Sequence, residues 1–464
     1  MSNLPKRLNY IKWFFIITFF GIGLYLLIFN FFQAKYIYSN SYNKRLRIEN
    51  TNIIRGDILD RNGIVLATTK VKNGNTSRVY QFGKHFSHVL GYYSHELGST
   101  GIEALYDKEL SSSHIVNIIK GKINNEPVKG NTVKLTLDKT IQVYASELFG
   151  NKKGALVALN PKTGEILALV SKPDYNPSKI NSNWPSLIED ANSPLLNRAI
   201  DGLYPPGSIF KIITTSAALH GNYKDMEIDC TGSININGYE IKDSNTKGHG
   251  TINLNEAFTL SCNSYFVKLG LKLGNESIYN EAVKFKFNRK ISSHVISKNS
   301  VYNKKSDEKS LAQQSIGQGD MLITPIHAAS IAAIIANDGV LMPPHTISEI
   351  IDMNGNSIKN MKSIKGERII DPDKAREIKD MMINVVKSGT GKKAKLSGIV
   401  VAGKTGTAEN PHGAPHSWFI GFAPSEDPQI AIAVIIENGG SGGNNAAPIA
   451  SKVIKKALSN ILKK

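Results

Sequence analysis

A serine and a lysine three residues apart share one face of a helix, where a neutral amine can take the hydroxyl proton and leave a nucleophile. The pattern Ser-x-x-Lys occurs four times, starting at Ser41, Ser208, Ser244 and Ser306. Context separates them. Ser208 follows Tyr204-Pro205-Pro206-Gly207 and opens the apolar run Ile209-Phe210-Lys211-Ile212-Ile213. The Pro-Pro-Gly punctuation ends the preceding segment and sets Ser208 at or near a helix N-terminus. There the N–H groups are unpaired and the helix dipole favours developing negative charge. An ordinary Ser N-cap would have the same surroundings. Lys211 is harder to explain blandly, because it interrupts an apolar face, where desolvation lowers an amine's pKa and fits it to act as a base.

Two further patterns lie downstream. Lys-Thr-Gly occurs at Lys162, inside a turn sequence, and at Lys404, inside Val400-Val401-Ala402-Gly403-Lys404-Thr405-Gly406-Thr407-Ala408-Glu409. The second reads as a strand with glycines inside it, which signals that another backbone approaches closely; a peptide docking on that edge would supply the reason. Among several Ser-x-Asn triplets, Ser261-Cys262-Asn263 stands within an apolar helical region.

The elements that must position these residues follow from periodicity. Trp13 to Phe32 is an almost unbroken apolar run, long enough to span a hydrocarbon core of roughly 30 Å. Trp13 and, beyond the far end, Tyr36 and Tyr38 suit interfacial positions. No small-residue cleavage site follows, so a retained anchor is expected. Lys6, Arg7 and Lys12 flank one side and Lys35, Lys44, Arg45 and Arg47 the other, so charge counting does not fix orientation. A long C-terminal domain translocates largely regardless of charge, so an inside tail and an extracytoplasmic bulk are expected.

Beyond a basic stalk, Ile58-Leu59 and Ile64-Val65-Leu66 flank Asn62-Gly63, a hairpin signal. From Gly154 onward, Ala155–Leu159 and Ile166–Val170 read as strands joined by a turn, as do Trp418–Phe422 and Ile430–Ile436 near the end. Helices are expected over Ile209–His220, Leu254–Leu273, Pro325–Asn337 and Pro448–Leu462. Strands at both ends with helices between imply one sheet closed from distant segments and packed between helices, an α+β domain. The expected organisation is a tail over 1–12, an anchor over 13–32, a stalk and small pedestal over 33–133, and the α+β domain over 134–464.

Composition narrows the class. The chain has 464 residues, 41% hydrophobic and 20% charged, as in folded proteins, and a net charge of +18. That excess is mostly lysine spread along the chain, which suits an anionic surface such as lipid or wall polymer, or simple solvation, better than a nucleic-acid face. Two cysteines, Cys230 and Cys262, exclude a disulfide-stapled scaffold and a four-cysteine zinc site. One bridge stays arithmetically open but is not expected, because Cys262 lies in a motif where other neighbours are expected for its side chain. His412 and His416 lack a ligand set and read as exposed loop histidines, so no metal and no cofactor are expected.

In the order Ser-x-x-Lys, Ser-x-Asn, Lys-Thr-Gly, the three patterns are those of penicillin-binding proteins and serine β-lactamases. The sequence resembles the class B penicillin-binding proteins, monofunctional peptidoglycan D,D-transpeptidases. The resemblance extends to Arg55 to Ala67, Gly101-Ile102-Glu103, Gly154 to Tyr175, Asn197-Arg198-Ala199, Gly317-Gln318-Gly319, Thr324-Pro325 and Trp418 to Pro424. The short pedestal is similar to that of the penicillin-binding protein A type. The resemblance implies an antiparallel sheet between helices and a covalent acyl-enzyme on Ser208. It implies Lys211 as base, Ser261 as proton relay, Asn263 as orienting residue, and backbone N–H groups of Ser208 and Thr407 as oxyanion hole. Lys404, Thr405 and Thr407 would hold the substrate carboxylate and Gly406 would leave room for its backbone. Implied partners are peptidoglycan stem peptides, β-lactams, the membrane and a membrane glycan polymerase, with no nucleic acid.

Three rivals share parts of this pattern. A class A β-lactamase would need a Glu-x-x-Leu-Asn loop between the second and third motifs, and the sequence has none there. A D,D-carboxypeptidase differs only in using water as acceptor. A non-catalytic sensor or decayed scaffold would usually carry more spans or lose one of Ser208, Lys211 and Lys404, and all three are present.

Overall fold

A computed structural model describes residues 4–29, 53–113, 123, 127–221, 223–304, 307–361, 364–411 and 413–461. The apolar run forms a helix, Leu4–Ile28, that starts earlier than Trp13, because Pro5 is tolerated in a first turn and good helix formers follow. Within it Asn9–Ile28 is long and apolar enough to cross a membrane, and its large apolar side chains are exposed. The expected end at Phe32, the tyrosines beyond it and the basic stalk lie outside the described residues.

The strand-forming runs close one five-stranded sheet, antiparallel throughout. Its order is Ile166–Lys172, Gly154–Leu159, Ile430–Ile436, His416–Ala423, Ala402–Ala408. The strands Gly154–Leu159 and Ile430–Ile436 are buried along their whole length, and the pleat divides their side chains between two cores. Leu156, Ala158, Ile430, Ile432 and Val434 face one core with the C-terminal helix Ala446–Ile461. Ala155, Val157, Leu159, Ala431, Ala433 and Ile435 face the other with Pro325–Ala336 and Lys211–His220. A sheet covered on both faces needs continuous apolar runs, and these strands have them. The α+β reading from sequence is therefore borne out.

Helix Pro325–Ala336 is buried all round, with Pro325 in its first turn and the Thr324 hydroxyl accepting from His327 N–H. The His327 ring lies 2.7 Å from Ser300 Oγ and 2.6 Å from the Phe285 carbonyl, and burial lowers its pKa to about 4. It is a neutral structural histidine.

The hairpin at Asn62-Gly63 forms as expected, pairing Ile58 with Ala67, and Gly63 takes a φ of +83°. It belongs to a second, six-stranded sheet in the order Ser357–Asn360, Ile347–Ile351, Thr132–Leu135, Ile58–Leu59, Val65–Lys72, Asn75–Tyr80. The sequence boundary expected at residue 133 falls inside the strand Thr132–Leu135. That strand pairs parallel with Ile58–Leu59 and antiparallel with Ile347–Ile351. A hairpin from late in the chain thus completes the pedestal sheet, a pairing that local periodicity does not reveal.

The pedestal core holds a buried carboxylate between two guanidinium groups. Glu103 is fully buried; Arg55 Nε donates to it at 2.6 Å and Arg78 Nε at 2.7 Å. Arg55 also reaches Asp107 and the Glu103 carbonyl, each at 2.6 Å, and lies over the Tyr93 ring. A pair of cations around one buried anion is strongly destabilised when the anion is lost. Glu103→Ala is expected to cost about 3–5 kcal/mol, read by urea denaturation with Trp184 fluorescence, since that ring packs on Tyr92 of the pedestal at 6.2 Å. Unchanged stability would contradict this account.

Candidate active site

Ser208 sits in a tight 3₁₀ turn, Gly207–Phe210, that runs directly into the α-helix Lys211–His220. The position at a helix start is as expected, but the capping role is not. Pro206 is the N-cap, and no side chain caps the turn, so the Ser208 hydroxyl has no part in capping. The 3₁₀ geometry brings positions i and i+3 nearly into line, which stacks Ser208 over Lys211 along one face.

The turn is held from both sides. Trp418 Nε1 donates to the Pro205 carbonyl at 3.0 Å, and Tyr204 is bonded through its backbone to Ile323. Tyr204 OH donates to Glu437 at 2.7 Å, and Glu437 also receives Arg198 Nε at 2.7 Å. Gly207 N–H donates to the Gly317 carbonyl at 2.8 Å. Gly317 has a φ of +82°, and any side chain there would run into the Gly207 carbonyl.

The helix expected over Leu254–Leu273 is broken at the motif it contains. One helix spans Leu254–Leu260, Ser261 takes the left-handed conformation (φ 61°, ψ 40°), and a second helix starts at Asn263. The second helix has its first N–H groups satisfied by two side chains: Asp243 accepts from Asn263 N–H with one oxygen and from Ser264 N–H at 3.3 Å with the other, and the N-cap Cys262 Sγ accepts from Tyr265 N–H at 3.3 Å. A cap supplied from twenty residues upstream makes the break favourable, and apolar periodicity carries no sign of it. The left-handed turn points the Ser261 carbonyl and hydroxyl towards both lysines.

Lys211 Nζ donates to the Ser261 carbonyl at 2.8 Å and to Asn263 Oδ1 at 2.8 Å, with Ser261 Oγ at 3.5 Å. Lys404 Nζ donates to Ser261 Oγ at 2.8 Å. Both lysines are fully buried, over the rings of Phe266 and Phe258 respectively. Burial lowers the Lys211 pKa to about 8, opposed by Cys262 and Asp243. Burial also takes Lys404 well below its ordinary value, and Lys211 lowers it further. Two ammonium groups sharing one hydroxyl bridge cannot both stay fully charged at this depth.

Lys404 lies in the edge strand Ala402–Ala408, whose free side faces the Ser208 turn. Thr407 is exposed there and its hydroxyl accepts from Gly442 N–H at 3.4 Å; Thr405 Oγ1 lies 2.6 Å from Thr390 Oγ1. The close approach expected at Gly406 exists, but the chain itself makes it: a side chain there would meet Trp418, Ile209 and the Pro206 carbonyl. Glycine lets the strand dock against the Ser208 turn.

The remaining candidates separate cleanly. Ser244 to Lys247 is an exposed loop, and Ser41 and Ser306 lie outside the described residues. Lys162 is on an exposed turn, paired with Asp427. His412 is outside the described residues. His416 is not in an exposed loop: it begins the strand His416–Ala423, half-buried, accepting from Asn438 N–H at 3.1 Å and packing on Tyr204. Cys262 does not avoid Cys230; their sulfurs lie 3.3 Å apart and both are free thiols. Sequence reasoning missed Asp243, Thr390 and Glu437. Only Thr390 carried a signal, the Gly389-Thr390-Gly391 triplet closing helix Pro372–Lys387.

Residues 154–455 match the family described as penicillin binding protein transpeptidase domain, and residues 55–133 match the penicillin binding protein A dimerisation domain. The chain is 33% identical to the peptidoglycan D,D-transpeptidase PbpA of Mycobacterium tuberculosis, covering 92% of this chain and 94% of that one. It is 30% identical to the peptidoglycan D,D-transpeptidase MrdA of Acinetobacter baumannii, covering 81% and 65%. Among solved structures it is similar to penicillin-binding protein A from M. tuberculosis in a ceftriaxone acyl-enzyme complex, with a TM-score of 0.84 and 32% identity, covering 89% of this chain and all of that one. With one N-terminal helix able to span a membrane and both domain types along its length, the chain belongs to the class B penicillin-binding proteins, a family of membrane-anchored peptidoglycan transpeptidases.

Proposed function

We propose that this chain is a peptidoglycan D,D-transpeptidase that works through an acyl-enzyme on Ser208. The observation that carries the reading is the convergence of two buried lysines, Lys211 and Lys404, on one serine, Ser261, beside the Ser208 turn. Structural ion pairs bury opposite charges. Two like charges in one dry cluster favour a neutral amine, which is what a general base requires.

Ser208 Oγ attacks the carbonyl carbon between the two terminal D-alanines of a stem peptide while neutral Lys211 takes its proton. The tetrahedral oxyanion lies between the N–H groups of Ser208 and Thr407. The C–N bond breaks, and the departing amine takes a proton from Lys211 relayed through the Ser261 hydroxyl. Asn263 keeps Lys211 aimed. Lys404, Thr405 and Thr407 receive the terminal carboxylate, whose charge restores the proton on Lys404 and thereby favours the neutral form of Lys211. An amine of a neighbouring stem peptide then attacks the ester, forming the cross-link and returning the proton to Ser208. A β-lactam follows the same first step, but its ring nitrogen stays tethered to the acyl group and obstructs the acceptor.

The catalytic part lies outside the membrane with the N-terminus inside, and a membrane glycan polymerase supplies the strands. The edge of the Lys404 strand, unpaired in the sheet and open at Thr407, suits an extended peptide added antiparallel to it.

Two outcomes are expected with a fluorescent penicillin. Ser208→Ala abolishes labelling, and Lys211→Ala slows it by roughly 10²–10⁴-fold; labelling that survives Ser208→Ala would sink the assignment. The acylation rate should rise with pH and level off above about 8, because protonated Lys211 cannot accept the Ser208 proton. A rate that falls with rising pH across that range would refute Lys211 as the base.

A further inference from the structure

Behind the Ser261–Asn263 link, four side chains converge that the acyl transfer does not use. Cys230 ends the strand Ile228–Cys230, Asp243 follows the strand Tyr239–Lys242, His249 precedes the strand Gly250–Ile252, and Cys262 lies between the two helices. One donor atom from each lies within 4.8 Å of all the others. Cys230 Sγ is 3.3 Å from Cys262 Sγ, 3.3 Å from His249 Nδ1 and 3.4 Å from Asp243 Oδ2. Three of the residues are buried and His249 is half-buried. With metal–ligand bonds of about 2.0–2.3 Å, a tetrahedral zinc ion has donor–donor edges of roughly 3.3–3.8 Å. The contacts around Cys230 Sγ, at 3.3–3.4 Å, lie at the short end of that range, and a bound ion would spread the two sulfurs to roughly 3.8 Å. In the absence of an ion, Cys230 donates to Asp243 Oδ2 and accepts from the Cys262 thiol, with His249 Nδ1 as its third neighbour.

The loop that brings these groups together is built for the purpose. His249 N–H donates to the Cys230 carbonyl at 2.9 Å, and Asp243 N–H donates to the Gly232 carbonyl at 2.9 Å. Gly248, at φ +83°, passes so close to the Cys230 carbonyl that no side chain fits there, and Asn245 Nδ2 fastens the turn through the Gly248 carbonyl at 2.7 Å. The segment 243–249 is thereby wrapped over Cys230, with His249 aimed inward.

We propose that Cys230, Asp243, His249 and Cys262 bind one borderline-soft divalent cation of the zinc type. The ion thereby fixes Ser261 and Asn263 against the two lysines. Binding converts the two thiols to thiolates and releases two protons to solvent, so the donor set is two sulfurs, one imidazole nitrogen and one carboxylate oxygen. Cys262 is the residue between Ser261 and Asn263, and Asp243 already holds the Asn263 N–H. A bond to Cys262 Sγ and Asp243 therefore pins the left-handed turn at both ends. The positioning part rests on the acyl-enzyme reading above; the binding part does not.

The test uses the full-length chain in detergent, incubated with zinc and dialysed. Expected are one zinc per chain by elemental analysis, and two titratable thiols after denaturation without reductant. Cobalt(II) in place of zinc should give the absorption bands of a tetrahedral thiolate site. His249→Ala should lose at least nine-tenths of the bound zinc while keeping its circular dichroism, and should label with fluorescent penicillin severalfold more slowly. Ser208→Ala should keep its zinc, which separates this site from the nucleophile assignment. Absence of bound metal with both thiols free, or a Cys230–Cys262 disulfide in their place, would overturn the binding proposal. Full labelling of metal-free His249→Ala would overturn the positioning role.

Discussion

Burying two lysine amines beside each other is the constraint on which the rest of this structure depends. Taking each ammonium out of water costs several kcal/mol, and the two repel. The cluster survives because Ser261 presents its carbonyl to Lys211 and its hydroxyl to Lys404, while Asn263 supplies a second acceptor to Lys211. These partners come from three separate layers: a helix carries Lys211, the edge strand carries Lys404, and a break between two helices carries Ser261. None of the three elements contains the site alone. The sheet buried on both faces and the helix packing exist, in functional terms, to bring them to one point and hold it dry.

That dryness converts packing into chemistry. In water both amines would be charged and neither could act as a base. Here burial lowers both; in the proposed mechanism a substrate carboxylate would restore the proton on Lys404, whose positive charge would then favour neutral Lys211. The cost is met by rigid surroundings: the Ser208 turn is clamped by Trp418, Tyr204 and the Gly207–Gly317 contact, and Asp243 holds the Asn263 end. The pedestal is not a separate appendage, since the strand Ile347–Ile351 from the catalytic part joins its sheet through Thr132–Leu135.

Local sequence carried most elements and the residues to which the proposed mechanism assigns the chemistry. Lys211 and Lys404 stood out because each lies where a local rule is broken, a charge on an apolar helix and glycines inside a strand, whereas Ser208 stood out only through the Pro-Pro-Gly before it and Lys211 after it. The two central strands were plain for the same kind of reason, being continuous apolar runs with a turn between. What could not be read is non-local. The break at Ser261 depends on Asp243, and the role of Gly406 depends on Ile209 and Trp418 lying across it. The two-stranded hairpin at 347–360 pairs with a segment more than two hundred residues earlier. The two cysteines, for which counting left a bridge open and the motif around Cys262 argued against one, lie 3.3 Å apart as free thiols.

The most direct test of the central claim is the location of the covalent bond. After reaction with benzylpenicillin and tryptic digestion, the adduct should be on the peptide Ala199–Lys211, where Ser208 is the only serine, and fragment masses should assign it to Ser208. An adduct found instead on Ser261, or on any peptide outside this one, would contradict the account.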